Sequence, residues 1–124
     1  MGLFAPKVRK DLNIPELIQT ISISLVTRTI KVLESAWLAE SPFLAGKEMT
    51  IADIAAYVEI GQLHPRFTNL FDFNPYPNVC TWLDRMANVE HHDNVHASLL
   101  ALGQIDKKSP TIEDIKNANK MGYA

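Results

Sequence analysis

A chain of 124 residues with one cysteine and a net charge of −2 is long enough for one domain with its own core. Cys80 alone cannot close an internal bridge, which excludes a disulfide-stapled secreted scaffold. Interspersed acidic and basic side chains leave no electrostatic footprint for nucleic acid or a membrane surface.

Residues 1–13 read as an arm or short helix, with Asn13 as an N-cap and Pro15 and Glu16 in the first turn behind it. From Pro15 to Glu40, Leu17, Ile18, Ile21, Leu25, Val32, Ala36 and Trp37 follow helical spacing, with Ile14 just ahead of them. Ile21 to Leu25 also alternates in the manner of a strand. The absence of Gly or Pro between Glu16 and Ser41 decides for one long helix, its Ser and Thr hydroxyls bonding back to earlier carbonyls or facing a neighbouring helix.

Ser41 to Lys47 is a loop bounded by Pro42 and Gly46, and Thr50 then opens a helix running to about Leu63. Thr50 and Asp53 form a capping box with Asp in place of Glu: the hydroxyl accepts from the Asp53 amide, the carboxylate from the Thr50 amide. Met49 and Ile54 flank it as a hydrophobic staple. His64-Pro65 ends that helix. The loop to Asn74 carries Phe67, Phe71 and Phe73, which should pin it to the core. Pro75-Tyr76-Pro77 starts a helix through Met86 with Val79, Trp82, Leu83 and Met86 on one face. A further helix is predicted from Glu90 to Leu102, with Val95, Leu99, Leu100 and Leu102 as its apolar side and Gly103 as its stop. The polar tail, residues 105–124, holds a second box at Thr111 and Asp114 that can cap a short helix. These elements predict an all-α domain, a bundle of about five to six helices over residues 14–104.

Chemistry-bearing groups are few. His91, His92, Asp93 and His96 cluster, and His92 and His96 stand at a helical spacing that can chelate a metal. No H-E-x-x-H pattern and no distant ligand accompany them, so the cluster reads as a polar, solvated first turn in which Glu90 and Asp93 complement the helix dipole. Cys80 has Arg85 as its nearby cation in sequence, and reads as a structural thiol. Asp53 could be a catalytic carboxylate, but its spacing from Thr50 favours the cap. No phosphate-binding glycine loop, serine elbow or spaced carboxylate pair appears.

Phe43-Leu44-Ala45-Gly46-x-x-x-Thr50-Ile51-Ala52-Asp53-Ile54 resembles the signature of the C-terminal domain in the glutathione transferase superfamily. Tyr76-Pro77-Asn78-Val79-x-x-Trp82-Leu83-x-Arg85-Met86 resembles that domain's next helix, with Pro77, Trp82 and Arg85 as its packing motif. With His92-Asp93-x-Val95-His96 after it, the pattern is most similar to theta-class members and covers about residues 12 to 103. The resemblance implies an all-α bundle in which Thr50 and Asp53 nucleate a central buried helix. It also implies that glutathione would bind to, and be activated by, a separate thioredoxin-like domain for which these residues leave no room. No catalytic, cofactor-binding or metal-binding residue carries over. Two functions are therefore expected: a stand-alone interaction module meeting a protein partner or a second copy through exposed apolar surface, or the helical half of a transferase. The chain reads as cytoplasmic: Lys7, Arg9 and Lys10 lead into no signal-peptide core, and polar residues break every apolar stretch.

Overall fold

Pro15 fixes the entry to the first helix from outside it. In the computed structural model, which describes residues 15–121, Pro15 is the extended cap (φ −58°, ψ 143°) of α1, Glu16–Val32. The amides of Ile18 and Gln19 both donate to its carbonyl, so Pro15 lies one step before the first turn rather than within it. The arm over residues 1–13, the Asn13 cap and Ile14 lie outside the described residues. The alternating Ile21–Leu25 segment is helical, and Thr20, Thr27, Thr29 and Ser35 each donate to the carbonyl four residues back.

The long helix does not reach Glu40. After Val32 the ladder widens into a π turn, Leu33–Trp37, where the Leu38 amide donates to Leu33 O at 2.9 Å. Leu33 and Leu38 point inward on either side of this turn while Trp37 faces out. Next come α2 (Ile51–Ile60), a short 3-10 turn (Gly61–Leu63) and α3 (Pro77–Ala87). Pro77 occupies the first turn of α3, where its missing N–H costs nothing. The amides behind it, Asn78 and Val79, donate to the Glu34 carboxylate at 3.0 and 2.8 Å. Glu34 thus caps a helix that begins more than forty residues downstream.

The predicted Glu90–Leu102 helix is two pieces, α4 (His92–Val95) and α5 (Ala97–Leu102). His91 starts it in a left-handed conformation, φ 65°. At the junction the His92 carbonyl is shared by the His96 amide (3.0 Å) and the His96 ring Nδ1 (2.8 Å), and His96 leaves helical geometry. The inward side also differs from the prediction: Val95 is 76% exposed, while His92 is buried. Gly103, at φ 71°, ends α5. Beyond it Ile105 is buried and donates to Thr68 O, and α6 (Ile112–Met121) packs back against α5.

The core gathers Ile30 and Leu33 from the end of α1, Tyr57 from α2, Phe67 and Phe73 from the following loop, and Val79, Trp82, Leu83 and Met86 from α3. Phe67 and Phe73 pin the loop from His64 to Asn74, while Phe71 is half-buried against Phe73. No strand occurs among the described residues.

Candidate functional site

Asp53 is the most connected polar residue of the core. It is fully buried, and its carboxylate accepts from the amides of Leu44 and Thr50 and from Trp82 Nε1, each at 2.9 Å. The Thr50 hydroxyl adds a longer bond at 3.4 Å. Thr50 in turn accepts at its side chain from the first turn of α2, and the box is closed in both directions. Burial pushes the Asp53 carboxyl up, but the hydrogen bonds from Leu44, Thr50 and Trp82 outweigh it and hold the group below its ordinary value of 3.8. A buried carboxylate saturated in this way fixes structure: it ties the loop at Leu44 and the face of α3 to the start of α2. Arg85 completes the tie by donating to Pro42 O, with its guanidinium 5.4 Å from the centre of the Phe43 ring. The sequence places Asp53 in a cap and Trp82 in a packing helix. Their direct bond spans 29 positions and leaves no local signal. Met49 and Ile54, the staple pair, are 38% and 49% exposed and lie outside the core cluster.

The histidine cluster is not a solvated turn. Tyr57 Oη and His92 Nε2 share a buried hydrogen bond of 2.7 Å, and His92 Nδ1 meets the Asp93 carboxylate at 2.8 Å. His96 stacks on His92 at 4.4 Å and on Phe67 at 5.3 Å. The physical reason is that Tyr57 Oη and the His92 carbonyl give hydrogen-bond partners to His92 Nε2 and His96 Nδ1, while Phe67 offers its face to the His96 ring. Both ring nitrogens of His92 are engaged, and no group of three or more metal-ligating side chains forms among the described residues. His91 and Glu90 stay at the surface. Cys80 borders an open cleft of about 380 Å³ that His64, Phe71 and Phe73 also line. Its thiol donates to Phe73 O at 3.0 Å, and burial together with Asp84, Glu34 and Asp72 pushes its pKa up, so it is a thiol rather than a thiolate at neutral pH.

The surface carries two apolar stripes. On α1, Leu17, Ile18, Ile21, Leu25 and Val32 are all exposed, Leu17 by 69%. On α2, Ile51 (83%), Ile54 and Val58 are exposed while Asp53 and Tyr57 are buried. The central helix that the resemblance implies is thus buried on the Asp53 and Tyr57 face and open on the other. Helical spacing identifies the apolar face of α1 without saying what covers it, and in the fold that face is left exposed. A family model described as glutathione S-transferase, C-terminal domain, matches residues 19–90, more than half of the chain. The chain belongs to this family. No curated protein and no solved structure matches it significantly.

Within the glutathione S-transferase C-terminal domain so defined, the match runs from the second turn of α1 to just past α3. It takes in the Glu34 cap, the Asp53 hub, the α2 stripe and the α1 stripe from Ile21 onward, while Leu17 and Ile18 precede it. His92, His96 and α6 lie beyond it. No helix among the described residues is long and apolar enough to cross a membrane.

Proposed function

We propose that this glutathione S-transferase C-terminal domain is a non-catalytic, cytoplasmic assembly module, akin to theta-class domains, that engages a protein through the apolar stripe of α1. The stripe carries the reading. Fully burying a Leu or Ile side chain is worth roughly 1.5–3 kcal/mol, and the first half of α1 leaves Leu17, Ile18, Ile21 and Leu25 largely uncovered. A row of that kind on a folded domain is an interaction surface. The polar centre of the domain supports the same reading, since the Asp53 carboxylate is consumed by structural hydrogen bonds and Cys80 is protonated. Glutathione enters this account only through a thioredoxin-like domain supplied by other residues, and nucleic acid and membrane are not partners.

A second reading is favoured by the family match itself: the domain is the helical half of a transferase and offers an apolar wall to the electrophile. Two measurements separate them. The purified chain is assayed for conjugation of a generic electrophile to glutathione and titrated with glutathione in a calorimeter. The assembly reading predicts neither turnover nor heat, and turnover or tight binding would overturn it. Sedimentation over a concentration series with parallel pull-downs tests assembly directly, and a strict monomer without any stripe-dependent partner would contradict it.

A further inference from the structure

Backbone amides of the loop after α2 converge on His64. Those of Phe67 and Asn69 donate to its carbonyl at 2.8 and 3.1 Å, and that of Arg66 donates to its ring Nδ1 at 3.0 Å. The ring thus closes a turn over the residue two positions on, as Asn and Asp side chains commonly do. An Nδ1 that accepts carries no proton, so the closed turn requires the neutral imidazole with its proton on Nε2. The strip that joins α5 to α6 rests on this turn. Gln104 Nε2 donates to Pro65 O at 2.9 Å, the Ile105 amide to Thr68 O at 3.0 Å, and Asn69 Nδ2 to Asp106 Oδ2 at 3.0 Å. Ile105 is buried there, beyond the residues that the family model matches.

We propose that His64 is an acid-sensitive latch: protonating its ring opens the 64–69 turn and frees the strip at residues 104–106. The second ring proton can go only to Nδ1, where it meets the Arg66 N–H. Either the ring swings away or the amide turns out, and both movements shift Pro65, whose carbonyl holds Gln104. The charged and titratable groups around the ring come from two elements. From its own loop, the Arg66 guanidinium opposes a cation at His64, while Asp72 lines the same cleft and accepts from the Asn74 amide. From α3, Asp84 favours the cation but is paired with Arg66 at 3.0 Å, and Cys80 is a neutral thiol. On the strip itself, Asp106 is bonded to Asn69. Burial first and the Arg66 charge second hold His64 below its ordinary value of 6.5. The closed turn therefore takes up the proton less readily than the open one. Its advantage is full above pH 6.5 and is lost as pH falls from there toward the lower pKa of the closed turn.

The test is amide hydrogen exchange of Ile105, read by NMR on the full chain at about pH 7.5 and pH 5 and corrected for the intrinsic exchange rate. Amides of α3 serve as the internal reference. The lower pH stays above the ordinary carboxylate range, so histidines are the side chains that change charge. Protection of Ile105 relative to α3 should fall more than about threefold at pH 5, and at most about thirtyfold, the ceiling for one proton between 6.5 and 5. His64→Asn keeps the turn, because the introduced carboxamide accepts from the amide two residues on, but it takes up no proton. Its Ile105 protection should be the same at both pH values, which separates His64 from His91, His92 and His96. Equal protection at the two pH values in the wild type, or an equal loss in His64→Asn, would overturn the proposal. Should His64→Asn fail to fold, the wild type decides alone: the His64 ring signal and the Ile105 amide signal must titrate with one midpoint, and separate midpoints would overturn the proposal too.

Discussion

At the scale of single residues, Asp53 is where the most structure depends on one side chain. Asp53→Ala strands Trp82 Nε1 and the amides of Leu44 and Thr50 without their acceptor. A lost cap alone costs about 1 kcal/mol, whereas each buried donor left unpaired costs about 1–3 kcal/mol. Denaturant unfolding of Asp53→Ala should therefore show a loss of about 3 kcal/mol or more, and an unchanged midpoint would dissolve the hub. The same carboxyl sets an acid limit. Because the fold holds it below its ordinary 3.8, its contribution is full above that value and drains away as pH falls through the folded pKa. Asp53→Asn should be less stable at neutral pH, yet lose less further stability than the wild type on acidification below about pH 4. Parallel acid titrations of melting temperature check this. Asp114, also held low by its bonds to Thr111, continues to titrate in both proteins, so the variant's curve is flatter rather than flat.

At the scale of elements, α3 is held at its N-terminus by a residue of another segment. Removing the carboxylate with Glu34→Gln leaves Asn78 and Val79 facing a weaker, neutral acceptor. The expected loss is about 1 kcal/mol, reduced by high salt, since cap and helix dipole both favour the charge. Equal stability of variant and wild type at low salt would contradict the cap. Between α2 and its 3-10 extension, Gly61 has room for no side chain: a Cβ there would sit 2.9 Å from Tyr57 Cε2. The Tyr57 ring is held edge-on by Trp82 and bonded to His92, so it cannot step aside. Gly61→Ala should lose about 1–3 kcal/mol, although helix propensity alone would make it a gain. Thermal melts decide the sign. These elements also mark how far the sequence can be read. Helices with local signals, such as the Thr50 and Thr111 boxes and Pro77 before Trp82, are legible from spacing and caps. The π turn after Val32, the Glu34 cap and the Asp53–Trp82 bond are made between distant segments and leave no pattern in any local window. His92 and His96 mislead for a related reason. Imidazole reads as polar in sequence, but His96 stacks on Phe67 and His92, and His92 is hydrogen-bonded to Tyr57, so the pair packs as flat rings against the core.

At the scale of the whole molecule, the folded core is only part of the apolar inventory. The buried cluster is built around α3, whereas the first half of α1 and the outer face of α2 keep their large aliphatic side chains in water. Periodicity reveals the α1 stripe from the sequence, and the structure adds the α2 stripe and shows that both are left over once the domain has packed. Family membership fixes the fold around them and makes an apolar contact natural. Sedimentation velocity of the wild type beside Leu25→Glu, over a wide concentration range, bears most directly on the claim that the α1 stripe is a docking face. Concentration-dependent association in the wild type, abolished in a Leu25→Glu protein of unchanged helicity, is the predicted result. Identical sedimentation of the two proteins, both monomeric or both associated to the same degree, would contradict it.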